Sequence, residues 1–170
     1  LCLLIIGVIS ARTVNLSHVA CERSGEVLIA STYRRLQRFF QHVALGEDWS
    51  AGLVIRLLGL SGPWNLCLDR TNWKIGGRDV NILMLAVATR RFRVPLMWTV
   101  LDKAGNSNTQ ERVALMQRYL ALFGAETVRL LLADREFIGL KWLNSLNGKN
   151  IPFAIRVKAR LWVETEDGRR

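Results

Sequence analysis

Two aspartates could do chemistry here. Asp69 ends the apolar stretch Trp64-Asn65-Leu66-Cys67-Leu68, and Asp134 ends Leu130-Leu131-Leu132-Ala133. Carboxylates at the ends of rigid strands suit a divalent metal. Magnesium takes oxygen ligands, few of them from protein. A pair of such ions about 3.5–4 Å apart can serve both the attacking and the leaving oxygen of a phosphodiester. That chemistry needs neither thiol nor imidazole. The three cysteines (Cys2, Cys21, Cys67) and two histidines (His18, His42) lack the spacing of a zinc site. An Asp after a strand also serves as a helix cap or turn residue, so the metal reading depends on what brings the two together.

The elements that must do so can be read in order. Residues 65–71 form a first strand, residues 80–89 a second that is buried on both faces, and residues 92–101 a third. Gly76-Gly77-Arg78-Asp79 and Arg90-Arg91 supply the turns between them. Pro95 argues that the third strand lies at a sheet edge. Ser107 with Gln110 and Asn108 with Glu111 offer overlapping capping boxes for a helix ended by Gly124. Residues 128–133 form a fourth strand, 137–146 a helix and 152–157 a fifth strand. The order strand-strand-strand-helix-strand-helix-strand predicts an antiparallel meander continued by parallel strands through right-handed crossovers. Ligands collect at the carboxyl ends of such parallel strands. If strands one and four are neighbours, Asp69 and Asp134 converge.

The first part of the chain reads helical. Leu1 to Ile9 is apolar and too short to span a bilayer. It lacks the features of a signal peptide. A start inside an apolar run gives the expectation of a fragment. Ser17 and Ser31 are read as helix caps, and Tyr33, Leu36, Phe40 and Val43 as one helical stripe. Arg34, Arg35 and Arg38 lie mostly outside it. They are candidate DNA contacts, or equally the solvated side of an amphipathic helix. Asp48 is read as the cap of a further helix carrying Leu53, Val54, Leu57 and Leu58. Ser61-Gly62-Pro63 marks the expected boundary, giving a helical, DNA-binding module over 1–62 and an α/β core over 63–160.

The 170 residues are half hydrophobic, a globular composition. A net charge of +10 and a pI near 10.5 favour a polyanionic partner. Scattered thiols without a disulfide framework fit a reducing cytosol.

Leu68-Asp69-Arg70-Thr71-Asn72-Trp73 resembles the Asp-x-Thr-x-Trp segment at the first catalytic Asp of DDE transposases from bacterial insertion sequences. Leu132-Ala133-Asp134-Arg135-Glu136-Phe137 resembles the Asp-Arg-Glu-Phe segment at their second. The resemblance covers residues 64–157. It implies a ribonuclease-H-like mixed sheet and metal-dependent cleavage and strand transfer of insertion-sequence ends. It assigns Asp69 and Asp134 as catalytic, metal-binding residues for Mg2+ or Mn2+. Thr71 is expected in local hydrogen bonding, Arg135 and Glu136 near a helix start, and Trp73 and Phe137 in packing. The implied partner is double-stranded DNA at transposon ends, with a homodimer in the full-length protein, no membrane, and a cytoplasmic, nucleoid-associated location in a bacterium.

The family's third carboxylate lies in a Tyr-Arg-Glu-Lys motif that these 170 residues do not contain. Residues 161–170, opening with Leu161-Trp162-Val163-Glu164, read as the start of the segment that precedes it. Glu164, Glu166 and Asp167 sit in a polar tail, and Asp79 and Asp102 in turns; none is taken as the missing ligand. The expectation is therefore an incomplete catalytic core, inactive by itself. The alternatives are a non-catalytic DNA-binding remnant and a different ribonuclease-H-like nuclease.

Overall fold

The computed structural model describes residues 1–157. The tail read above as the start of an inserted segment, with Glu164, Glu166 and Asp167, lies outside the described residues. The chain divides into two compact units, residues 1–47 and 48–170.

The first unit holds α1 (Cys2–Ala11), α2 (Leu16–Cys21) and α3 (Ile29–His42). Val19, Ala20 and Leu36 are its buried centre, with Leu3, Leu4, Val8 and Tyr33 against them. Asn15, not Ser17, caps α2: its side chain accepts the Ser17 N–H at 3.0 Å. Ser31 lies inside α3, which starts after Leu28. The α3 stripe is also rotated from expectation. Thr32 and Leu36 are buried, whereas Phe40 is 60% and Val43 47% exposed. A small helical unit has too little interior to cover a full stripe.

The second unit begins with α4 (Ala51–Leu58), followed by β1 (Trp64–Ile75), β2 (Arg78–Ala88) and β3 (Arg93–Leu101). Then come α5 (Thr109–Phe123), β4 (Val128–Ala133), α6 (Leu140–Asn147) and β5 (Phe153–Ile155). The five strands form one sheet in the order β3-β2-β1-β4-β5. β1, β2 and β3 pair antiparallel, and β4 and β5 extend the sheet in parallel. This is the expected mixed sheet, an antiparallel meander continued by parallel strands.

The unit boundary precedes α4 and so lies earlier than Ser61-Gly62-Pro63. Ala51, Val54 and Ile55 belong to the sheet's core, while Leu53 and Leu57 are exposed. Asp48 does not cap α4 with its side chain; it pairs with Arg118 of α5, which also donates to Thr99 Oγ1 on β3 at 2.8 Å.

One face of the sheet is covered. Leu66, Leu68, Leu83, Leu85 and Leu131 meet Leu115, Met116 and Tyr119 of α5 and Trp142 and Leu146 of α6. Because strand side chains alternate between faces, Cys67, Asp69, Ile82, Met84 and Trp98 point to the other. There Ile82 and Met84 are half-buried and Trp98 is 41% exposed. β2 is therefore fully buried on one face only, not on both.

β3 is an edge strand, as Pro95 implied, and it carries a bulge. Met97 pairs with Leu85 and Pro95 with Ala86, so Leu96 is an extra residue. A bulge at an edge accommodates a proline that cannot donate to the ladder. α5 starts from the capping box of Asn108 and Glu111, which exchange hydrogen bonds of 2.9 and 2.7 Å. Ser107 takes no part in a box; its hydroxyl accepts from buried Arg112 at 2.9 Å.

Candidate functional site

β1 and β4 are parallel neighbours whose last paired residues are Leu68 and Ala133. The next residue on each is the aspartate. Asp69 and Asp134 therefore stand side by side, and both line one open cleft of about 670 Å³ on the uncovered face. Each carboxylate is steadied in the same way. Asp69 Oδ1 accepts the Arg70 N–H at 2.8 Å, and Asp134 Oδ1 accepts the Arg135 N–H at 2.7 Å. Asp134 thus also caps the short 3-10 turn Arg135–Phe137. Arg93 and Arg156 line the same cleft, and an Arg156 nitrogen lies 4.0 Å from Asp134 Oδ1.

Cys67 shares this face. Burial raises its thiol above the ordinary value; the Arg93 guanidinium opposes the rise and the Asp69 carboxylate adds to it. A protonated thiol is a poor metal ligand, so the hard oxygens of the two aspartates are the donors best matched to a cation here. They fit Mg2+ or Mn2+ by type and accessibility. Among the described residues no group of three His, Cys, Asp or Glu could hold a metal ion.

Beneath the cleft, on the helix-covered face, a polar network joins the two aspartate-bearing segments. The Arg70 guanidinium bridges both Glu136 oxygens at 3.1 Å each. It also donates to Asn81 Oδ1 at 3.2 Å and Asn106 Oδ1 at 3.3 Å. Asn81 is fully buried and donates to the carbonyls of Lys103 at 3.0 Å and Gly105 at 2.8 Å. Arg112 of α5 donates to the Glu136 carbonyl at 3.1 Å and sits 5.1 Å from the centre of the fully buried Phe137 ring. Each residue of Asp134-Arg135-Glu136-Phe137 therefore has a physical task. Asp134 faces the cleft, the Arg135 N–H orients it, Glu136 ties it to β1, and Phe137 anchors it in the core.

The first segment departs from expectation at two positions. Thr71 Oγ1 is buried without a hydrogen-bond partner among the described residues, and Trp73 is 58% exposed on the distal part of β1 rather than packed. Arg34, Arg35 and Arg38 are all exposed on α3 in the helical unit. Sequence reasoning gave no role to Arg70, Asn81 or Arg112. A lone Asn inside an apolar strand was the one available signal, since a buried amide demands partners.

No family model matches this sequence, and no curated protein matches it. Solved structures resemble its backbone. The catalytic core domain of HTLV-2 integrase in complex with magnesium, in its dimeric form, is 12% identical over 57% of this chain and 63% of that one, with a TM-score of 0.43. Its trimeric form gives 12%, 57%, 62% and 0.42 for the same quantities. The simian T-cell lymphotropic virus intasome in complex with PP2A regulatory subunit B56 gamma is 10% identical over 56% of this chain and 32% of that one, with a TM-score of 0.42. The matched part spans less than two thirds of each of those chains. No helix among the described residues is long and apolar enough to cross a membrane.

Proposed function

We propose that this chain carries two of the metal-binding carboxylates of a DNA strand-transferring enzyme of the insertion-sequence transposase type. The observation that carries the reading is the adjacency of Asp69 and Asp134 at the end of the β1–β4 pairing, facing one cleft. The two short sequence segments that resemble the transposase motifs are the ones the fold places together. When bound there, Mg2+ or Mn2+ supplies charge stabilisation at a phosphodiester and activates the attacking oxygen. The chain's own part is to present the aspartate oxygens, to fix one oxygen of each through the following N–H, and to hold guanidinium groups at the cleft for phosphate. The substrate in this reading is duplex DNA at transposon ends, met by a homodimer of the full-length protein.

Titration of Mn2+ into the 170-residue chain, followed by electron paramagnetic resonance, tests the site. Saturable binding that disappears in both Asp69→Asn and Asp134→Asn, with the far-UV spectrum unchanged, is the expected result. Binding that survives both substitutions would overturn the assignment.

A second reading is a DNA-binding chain without catalysis. The observation favouring it is that the described residues bring only two carboxylates together. Magnesium- and manganese-dependent cleavage of terminal-repeat DNA separates the two readings. Cleavage that needs Asp69 and Asp134 supports the enzyme; salt-sensitive DNA binding without cleavage supports the second reading.

A further inference from the structure

The β2–β3 hairpin tip is a hydrogen-bonded cationic turn. Thr89 closes it: its hydroxyl accepts the Phe92 N–H at 3.1 Å and donates to the Phe92 carbonyl at 2.8 Å, and its own N–H donates to that carbonyl at 2.9 Å. The closed turn pushes Arg90, Arg91, Phe92 and Arg93 outward, and all four are exposed. None of these three arginines has a carboxylate partner among the described residues. Unneutralised guanidinium groups on a closed turn are suited to phosphate, which they bind through a planar fork.

The turn is continuous with the aspartate cleft. A second cleft, of about 450 Å³, is lined by Arg90, Arg91, Phe92 and Arg93 and by no acidic residue. Arg93 and Leu132 line both clefts. The register explains how Arg93 reaches across. It pairs with Ala88, and Ala86 pairs with Cys67, so small side chains occupy that face between Arg93 and Cys67. From the level of Asp69 to that of Asn65, opposite Ala88, is about 13 Å at the usual strand rise.

We propose that Arg93, Arg90 and Arg91 form a phosphate track that carries a nucleic-acid backbone from the hairpin tip to the Asp69–Asp134 cleft, with Phe92 as a stacking surface for a base. The track deepens the strand-transfer reading and rests on it only for what happens at the cleft end. Arginine for the backbone and an aromatic ring for a base is the pairing used on exposed strands, and it is tolerant of sequence.

Fluorescence anisotropy with a short labelled DNA, single-stranded and duplex, tests the track in EDTA at stepped salt concentrations. The 170-residue chain is compared with Arg90→Ala/Arg91→Ala, with Phe92→Ala, and with the same changes in an Arg34→Ala/Arg35→Ala/Arg38→Ala background. Loss of two phosphate contacts makes the slope of log affinity against log salt shallower by about 1.8 on duplex and about 1.4 on single strands. At low salt the affinity falls on the order of tenfold. Phe92→Ala weakens single-strand binding more than duplex binding. Unchanged slope and affinity in both backgrounds, with folding verified by circular dichroism, would overturn the track. The readout contains no metal, so the track and the metal site fail separately.

Discussion

Arg70, the residue after Asp69, and Glu136, two residues after Asp134, form a bidentate ion pair with both contacts at 3.1 Å. Their side chains are only 14% and 25% exposed. The two aspartates are thus tied together from the opposite side of the sheet, by residues whose side chains never enter the cleft.

That tie predicts coupled behaviour. Arg70→Ala strands Glu136, Asn81 and Asn106 and should destabilise the sheet unit by about 2–4 kcal/mol. In urea unfolding, the double-mutant cycle with Glu136→Ala should show a coupling of roughly 1–3 kcal/mol. Additive single effects would mean that the bridge contributes nothing of its own. Glu136→Gln, which keeps the shape, should weaken Mn2+ binding while the fold persists.

Asn81 should be the least replaceable polar residue of the sheet. Leucine there matches its surroundings in hydropathy but leaves the Lys103 and Gly105 carbonyls and one Arg70 nitrogen unpaired. Loss of about 2–3 kcal/mol is expected for Asn81→Leu in chemical denaturation. A neutral or stabilising result would show that water replaces the amide.

Acid should loosen the start of α5. Burial works to raise the Glu111 carboxyl, but Lys103, at 2.8 Å, and the Asn108 N–H overcome it and hold the group below its ordinary range. Its contribution is complete above the unfolded-state glutamate pKa of about 4.3 and is lost as the pH falls through the lower folded value. Glu111→Ala should cost about 1 kcal/mol at neutral pH and flatten the acid limb of the melting-temperature profile.

The helical unit offers an independent test of packing. A Cβ on Gly7 would lie 2.6 Å from Val19 Cγ1 and 3.0 Å from the Val19 carbonyl oxygen. Gly7→Ala must push α1 away from α2, at a cost of about 1–3 kcal/mol. Hydrogen exchange should accelerate in residues 2–21 and remain unchanged in the sheet.

The sheet was legible because its strands are apolar runs separated by strong turn signals, and because Pro95 announces an edge. The Asn108–Glu111 box was legible because capping chemistry is local. The ownership of α4 was not. A helical period says which residues share a face, but not which core receives them, and Ala51, Val54 and Ile55 pack under the sheet. The α3 stripe failed for the same reason at Phe40 and Val43. At the site, the two aspartates could be read from their strand-end positions, whereas Arg70 and Glu136 look in sequence like ordinary surface charges. Only the parallel pairing of β1 with β4 brings them face to face.

The bulge in β3 has a consequence for the hairpin. A strand assigns side chains by odd and even count, so one extra residue inverts every assignment beyond it. Leu96 is that extra residue, and it lies between Arg93 and the rest of β3. Were Leu96 paired in a regular strand instead, Arg93, four residues before Met97, would share its face and point into the helical layer. Deleting Leu96 should thus straighten β3 and leave Arg93, then three residues from Met97, on the Asp69 face, so the bulge is what lets a strand of this count set the polarity of the cleft.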